Sequence, residues 1–390
     1  MSDRVLYITG EFPPMHGGIA DYTDHLSRSL GPLGWEPLVL TSSRAVREGH
    51  RDERIVATVD RWDGRIVESV RETIRRTQPD LLHIQYQTGA FQMRPSINFL
   101  PLRLRVRQRP LPVVTTYHDL LRPYLFPKAG QLRRWANRAL AFGSDAIIVT
   151  NERDERQVQS YRWFRDRVWR IPLGSNIPPI GNVDRDAVLE RHGLPPPGFV
   201  VGFFGFLTAD KGIGDLLDAL ERSDMEGVEL LIISGDLATT DFVNRRYRDR
   251  IRRRLQNAKV PVRITGYLPP EEVAKTLAAV DLIALPFRSG ASLRSGTLLA
   301  ALQSGTPVVT TDPRPGDSLA PFKAGESIWL VPVSETDFLH EAIQLLRTEP
   351  SLGERLSAAA QQASCQFSWS SIADRHATVY QHVLNRGRSD

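Results

Sequence analysis

The residues best suited to chemistry are few and mostly cationic. In residues 286–309, PFRSGASLRSGTLLAALQSGTPVV, an apolar run ends, Arg288 and Arg294 follow, and Ser295-Gly296-Thr297 open a helix-like segment. The first amides of a helix lack intrahelical acceptors and sit at the positive end of the dipole, so this start suits an anion. No carboxylate lies between Asp281 and Asp312. The chemistry expected here is therefore charge stabilisation. Lys211, in LTADKGIGDLLDAL, stands beside Gly212 and Gly214 just before another helix-like segment. This is a phosphate-binding arrangement, although it lacks the G-x4-G-K-[ST] order of a P-loop. Gly17-Gly18 precede the first helix-like segment and would let backbone amides approach an anion closely. His118 follows the apolar run VVTTY, with Asp119 beside it; a histidine there can donate a hydrogen bond or shuttle a proton near neutral pH. Gly266-Tyr267 follow VRIT and could offer main-chain groups to a base edge. Each has a plainer alternative: a turn before a helix, a loop-capping histidine, a solvated lysine. His16 and Asp21 also share the H-x4-D spacing of some acyltransferases, a pair that arises readily by chance in a chain this long.

The elements that must position these residues alternate along the chain. Candidate strands are 4–10, 36–41, 81–86, 113–118, 145–150 and 168–172, with helix-like segments at 19–31, 62–77, 97–108, 130–142 and 152–162. After the Gly/Pro-rich stretches 172–182 and 192–198 the alternation restarts with strands at 199–206, 229–234, 262–266, 281–286, 307–311 and 328–332. The strands are near-continuously apolar, as parallel strands buried on both faces are. Strand–helix alternation predicts a doubly wound α/β sheet, here twice. Such sheets bind ligands at the carboxyl ends of their strands, where the residues above fall. The expected division is a first domain over 1–175 and a second over 176–369.

Composition narrows the class. A chain of 390 residues with 41% hydrophobic and 24% charged residues is that of a globular protein. No apolar run approaches the ~18 residues of a membrane span. The N-terminus begins a strand at once, which argues against a signal peptide. A single cysteine, Cys365, excludes an internal disulfide and fits a reducing compartment. No Cys/His cluster has zinc spacing. The net charge is +5, and residues 91–175 hold sixteen Arg/Lys against six Asp/Glu. Most of that excess reads as a solvated Arg-rich surface; the sharper readings are an acidic ligand or an anionic membrane. No signature of nucleic-acid binding accompanies it.

The ordered set PPMHGGIADY, TTYHDL, IPLGSNI, FFGFLTADKGIGDLLDAL, ITGYLPPEEVAKTLAAVDLIALPF, SGTPVVTTD and FSWSSIADRHATVYQHVL resembles the family 4 retaining glycosyltransferases of the B fold. It touches nearly the whole chain. The resemblance implies two Rossmann-like domains facing across a cleft, with a last helix at about 370–388 crossing back to the first. It implies that Gly17 and Gly18 approach the donor diphosphate, that His118 contacts the transferred sugar, and that Lys211 neutralises the leaving diphosphate. Gly205, Gly266 and Tyr267 would surround the nucleotide, and Ser295, Gly296 and Thr297 the phosphates.

Two positions depart from the family pattern. Phe206 stands where the family usually has an arginine, leaving Arg288 or Arg294 to substitute, and Asp119 is a further candidate supporting group. The usual paired glutamates correspond to Ser292 and Ala300. The implied activity is metal- and cofactor-independent transfer from a nucleotide sugar to a glycan, lipid-linked or small-molecule acceptor. The expected location is cytoplasmic, with association at the inner membrane face. The alternatives are a non-catalytic binding subunit and a nucleotide-sugar isomerase or epimerase.

Overall fold

The computed structural model describes residues 2–15, 17–46, 52–105, 111–118, 120, 130–194, 197–235 and 242–389. The chain divides into two compact units, 1–174 with 369–390, and 175–368.

Unit 1 contains β1 (Asp3–Thr9), α1 (Gly18–Leu30), β2 (Trp35–Ser42), β3 (Ile55–Val59), α2 (Ile66–Thr77), β4 (Leu81–Tyr86), α3 (Leu100–Arg105), β5 (Val113–Tyr117), α4 (Gly130–Gly143), β6 (Ala146–Val149), α5 (Glu152–Gln159) and β7 (Val168–Arg170). The strands form one parallel sheet in the order β3-β2-β1-β4-β5-β6-β7. Alternate residues of β1 feed two apolar layers: Leu6 and Ile8 face one, Val5 and Tyr7 the other. Burial on both faces explains the unbroken apolar strands.

Unit 2 contains α6 (Arg185–Arg191), β8 (Phe199–Phe204), α7 (Ile213–Leu220), β9 (Val228–Ile233), α8 (Phe242–Gln256), β10 (Val262–Ile264), α9 (Pro270–Ala279), β11 (Leu282–Leu285), α10 (Gly296–Gln303), β12 (Val308–Thr311), β13 (Trp329–Val331), α11 (Thr336–Thr348) and α12 (Pro350–Ser364). Its parallel sheet runs β10-β9-β8-β11-β12-β13. The chain then returns to unit 1 as α13 (Trp369–Ser389), which lays Ile372, Ala373, Ala377, Tyr380 and Val383 into the core layer containing Tyr7.

Strand order reverses between β1 and β4 in unit 1 and between β8 and β11 in unit 2. These are the two switch points at which doubly wound sheets take ligands. Among the elements that lay outside the sequence reading are β3 and α6. β3 is a short edge strand with a half-exposed middle, so IVATV lacks the continuous apolar signal. α6 is two turns started by Asp184, whose Oδ1 accepts from the Ala187 amide at 3.1 Å. The segment read as one helix from residue 97 is a 3₁₀ turn, Pro95–Phe99, running into α3.

Candidate functional site

In unit 2 the loops after β8, β11 and β12 are pinned together by bare backbone. Gly212 has φ +70, and a β-carbon there would sit 1.8 Å from the Pro286 carbonyl oxygen. Only glycine lets the β8–α7 turn press against the end of β11 in this way. The Arg288 amide donates to the Asp210 carbonyl at 2.9 Å, closing the same contact. Gly290, at φ +82, would place a β-carbon 2.8 Å from the Arg314 nitrogen. Arg314 Nη2 donates to Ser289 Oγ at 2.7 Å.

Lys211 lies in the 3₁₀ turn Ala209–Lys211, its ammonium 4.8 Å from the Phe287 ring centroid. Burial pulls its pKa below the ordinary lysine range; Asp210 opposes this and Arg314 adds to it. Lys211 and Arg314 are thus electrostatic neighbours, a pairing that residues 103 apart in the chain do not disclose.

Arg288, expected as a cation for the diphosphate, is already engaged. Its Nε and Nη2 donate to Asp215 Oδ2 and Oδ1 at 2.9 and 2.6 Å. Asp215 is buried in the first turn of α7. The stretch 286–309 has no acid of its own, but the fold lends it one. The fork keeps Arg288 charged and oriented, and Arg288 reaches a ligand only through its outward N–H groups.

At the start of α10, Ser295 occupies the N-cap position without capping. Its hydroxyl instead pairs with Thr297 Oγ1 at 2.7 Å. Gly296 faces open space, while Thr297 Cγ2 lies 3.4 Å from the β-carbon position of Gly205, which has φ +136. Arg294 follows the same turn, its amide 3.4 Å from Ser292 Oγ. On the other side of β8, Gly266 has φ +74 and open surroundings, and the Tyr267 ring lies 3.4 Å from the β-carbon position of Gly235. Tyr267 is 79% exposed, so one ring face is free for a flat partner.

In unit 1, Gly10 brings the end of β1 against the loop after β4; a β-carbon there would sit 2.1 Å from the Ala90 carbonyl oxygen. Gly17 has extended backbone, so any need for glycine there is one of space: a β-carbon would lie 2.5 Å from Glu11 Oε2. Glu11 escaped the sequence reading. Burial raises its carboxyl pKa, opposed by Arg44. Gly18 opens α1 with nothing within 4 Å of its β-carbon position.

His118 is half-buried at the end of β5. Its Nε2 lies 2.7 Å from Gln85 Oε1, and its ring packs edge-on to Tyr22 at 4.7 Å. An amide oxygen only accepts, so Nε2 carries the hydrogen and Nδ1 is left as the variable nitrogen. Gln85 Nε2 in turn lies 3.4 and 3.3 Å from the two ring nitrogens of His83. His83 Nδ1 meets Tyr380 Oη at 2.6 Å and Nε2 meets Thr116 Oγ1 at 2.8 Å, while Tyr380 meets Tyr7 Oη at 3.1 Å. A buried polar chain therefore runs from α13 to His118.

Burial, with His376 and His118 nearby, holds His83 far below the usual histidine range. His376 is lowered to about 4 by burial, against its bond to the Ile372 carbonyl. That bond, 2.8 Å from Nδ1, leaves Nε2 to accept from Tyr22 Oη at 3.3 Å. Asp119 and His16 lie outside the described residues. Among the described residues no group of three or more His, Cys, Asp or Glu could hold a metal ion, and no helix is long and apolar enough to cross a membrane.

Two doubly wound units, with glycine turns at both switch points and cations gathered at one of them, define a two-domain α/β class whose candidate anion site lies at a switch point. The family model of the glycosyl transferase 4-like domain matches residues 17–174, and that of glycosyl transferases group 1 matches residues 198–348. The chain belongs to the family 4 glycosyltransferases of the B fold. It is 26% identical over 335 residues to a phosphatidyl-myo-inositol mannosyltransferase of Mycobacterium leprae, covering 79% of this chain and 75% of that protein. It is 26% identical over 302 residues to D-inositol 3-phosphate glycosyltransferase 1 of Catenulispora acidiphila, covering 73% and 70%. Among solved structures, Anabaena HepE in complex with UDP superposes with TM-score 0.75 at 18% identity, covering 97% of this chain and all of that one. The sucrose-phosphate synthase of Thermosynechococcus elongatus gives 0.72 at 18% identity, covering 98% and 100%.

Proposed function

We propose that this glycosyltransferase uses a nucleotide-sugar donor, transfers with retention of anomeric configuration, and needs no metal. The observation that carries the reading is the gathering of Lys211, Arg314 and the uncapped start of α10 around the β8/β11 switch point. Positive groups there oppose the charge that develops on a departing diphosphate. The exposed Tyr267 ring serves as a platform for the base. The sugar C1–O bond to the phosphate breaks, the acceptor oxygen bonds to C1 on the same face, and the acceptor proton passes to the departing phosphate oxygen.

The acceptor is a hydroxyl-bearing glycan, lipid-linked or small polyol molecule; two relatives are named for inositol-containing acceptors. The site of action is the cytoplasm and its membrane face. A panel of nucleotide sugars tests this. Nucleoside diphosphate release in the presence of EDTA, with the product anomer matching the donor by NMR, is the expected result. Inversion, or dependence on a divalent ion, would refute the corresponding part. Donor binding without turnover in the presence of every acceptor class would mark a binding subunit instead, and an altered free nucleotide sugar would mark an isomerase.

A further inference from the structure

Unit 2 buries one hydroxyl that its own core does not use. On α8, Tyr247, Ile251 and Leu255 are spaced i, i+4, i+8 and join the apolar layer that contains Ile213 and Leu217. Tyr247 is 8% exposed, and its Oη has no hydrogen-bond partner among the described residues. A phenylalanine would fill the same place, whereas a buried, unpaired hydroxyl carries its desolvation cost with no compensating bond. Such an atom points to a partnership made during function.

The surroundings of that hydroxyl belong to the cationic switch point. Tyr247 Oη and Arg288 Nη2 each lie 3.8 Å from the β-carbon position of Gly214, in the first turn of α7. Burial raises the Tyr247 pKa, Arg288 lowers it and Asp215 raises it. The Gly214 amide also lowers it, from outside hydrogen-bond geometry. The fork to Asp215 raises the Arg288 pKa most, and Tyr247 adds to that. The tyrosine is held in place from two turns further along α8. There Arg254 donates from Nη1 to the Gly214 carbonyl at 3.3 Å and from Nη2 to Asp218 Oδ1 at 2.5 Å, fastening α8 to α7.

We infer that Tyr247 is a positioning residue for Arg288, steadying its guanidinium for the diphosphate of the donor. The fork to Asp215 uses the Nε hydrogen and one of the two on Nη2. A tyrosine oxygen has lone pairs to accept the second Nη2 hydrogen. With that bond made, the guanidinium is held at three points and the Nη1 hydrogens are the ones left for an anion. Fixing a long side chain in this way reduces the ordering cost of binding. The identity of the anion rests on the transferase reading; the placement of Tyr247 beside Arg288 does not.

The test is calorimetric titration of the whole chain with UDP, GDP and inorganic pyrophosphate, beside steady-state kinetics. Tyr247→Phe should bind whichever of these the wild type binds about three- to tenfold more weakly, and raise donor KM to the same degree with kcat within about twofold. Its melting temperature should equal or exceed that of the wild type, since only an unpaired oxygen is lost. Gly214→Ala is the second variant. Its methyl would meet Arg288 Nη2 and Tyr247 Oη at ordinary contact distance, adds helix propensity, and should weaken the same ligands by keeping the two groups apart. In an Arg288→Ala background, Tyr247→Phe should add little. Unchanged affinity in both variants, additivity with Arg288→Ala, or a lowered melting temperature at unchanged donor KM would overturn the inference and leave the transferase reading standing. A wild type that binds none of the three ligands would overturn both.

Discussion

The two switch points share a topology and differ in charge. At β8/β11 the side chains are cations: Lys211, Arg288 and Arg314, with the buried Asp215 as the tether of one. At β1/β4/β5 the hydrogen-bonded network is neutral, made of tyrosines, Gln85, and the histidines 83 and 376, whose pKa values burial lowers, and the charged group beside it is Glu11. The backbone device is the same in both, a glycine that lets one strand-end loop touch the next, Gly10 on Ala90 and Gly212 on Pro286. One architecture thus carries a cluster of cations at one switch point and a buried network of neutral hydroxyl, amide and imidazole groups at the other. The side chains make that difference, since the sheets do not.

The cationic side should break hardest at Lys211. Lys211→Ala is expected to lower kcat/KM for donor by about 10²–10³, with partial recovery in Lys211→Arg; steady-state kinetics with unchanged turnover would remove Lys211 from the site. The neutral side should break with acid. His376 binds no proton in the folded state until about pH 4, whereas the unfolded chain takes one up near pH 6.5. Stability is therefore full above pH 6.5 and falls as pH drops toward 4, by about 3 kcal/mol for such a histidine, and His83 acts in the same sense. Scanning calorimetry between pH 7 and 4.5 should show unit 1 melting progressively earlier, and His376→Gln should flatten the trend.

The Asp215–Arg288 fork sharpens the contrast. The carboxylate is buried but the guanidinium is 44% exposed, so Asp215→Ala should cost about 1–2 kcal/mol, below the figure for a fully buried pair. It should also raise the donor KM several-fold, and so should Arg288→Ala. Adding the second substitution should do little more, because both remove one interaction; additive KM effects in a double-mutant cycle would refute the coupling. On the neutral side, Gln85→Leu removes the acceptor for His118 Nε2. A loss of about tenfold in kcat at unchanged donor KM is expected, with a shifted pH profile; an unaltered profile would mean that Gln85 does not position His118.

Local signals made much of this legible. FVVGFFGF and DAIIVT read as buried strands because the environment that makes them apolar is the same on both faces. The α1 start at Gly17-Gly18 and the α10 start at Ser295-Gly296 showed in short spans for the same local reason. What escaped were partnerships made across the fold. Asp215 looks like an ordinary first-turn helix acid until β11 brings Arg288 to it, 73 residues later. His83 and Gln85 sit in LLHIQY as two polar interruptions, and their meaning comes from Tyr380 and His118. Glu11 is read as a loop residue until Gly17 closes over it.

The return of α13 to unit 1 has a consequence for the order of events during synthesis. Tyr380 and His376 fill buried places between β1, β4 and α1, and those places stay open until the helix has been made. Every strand of unit 2 leaves the ribosome before residue 369 does. Against the usual N-terminal-first order of synthesis and folding, the segment made in the middle is complete, and can close its core, while the segment made first still lacks its last helix.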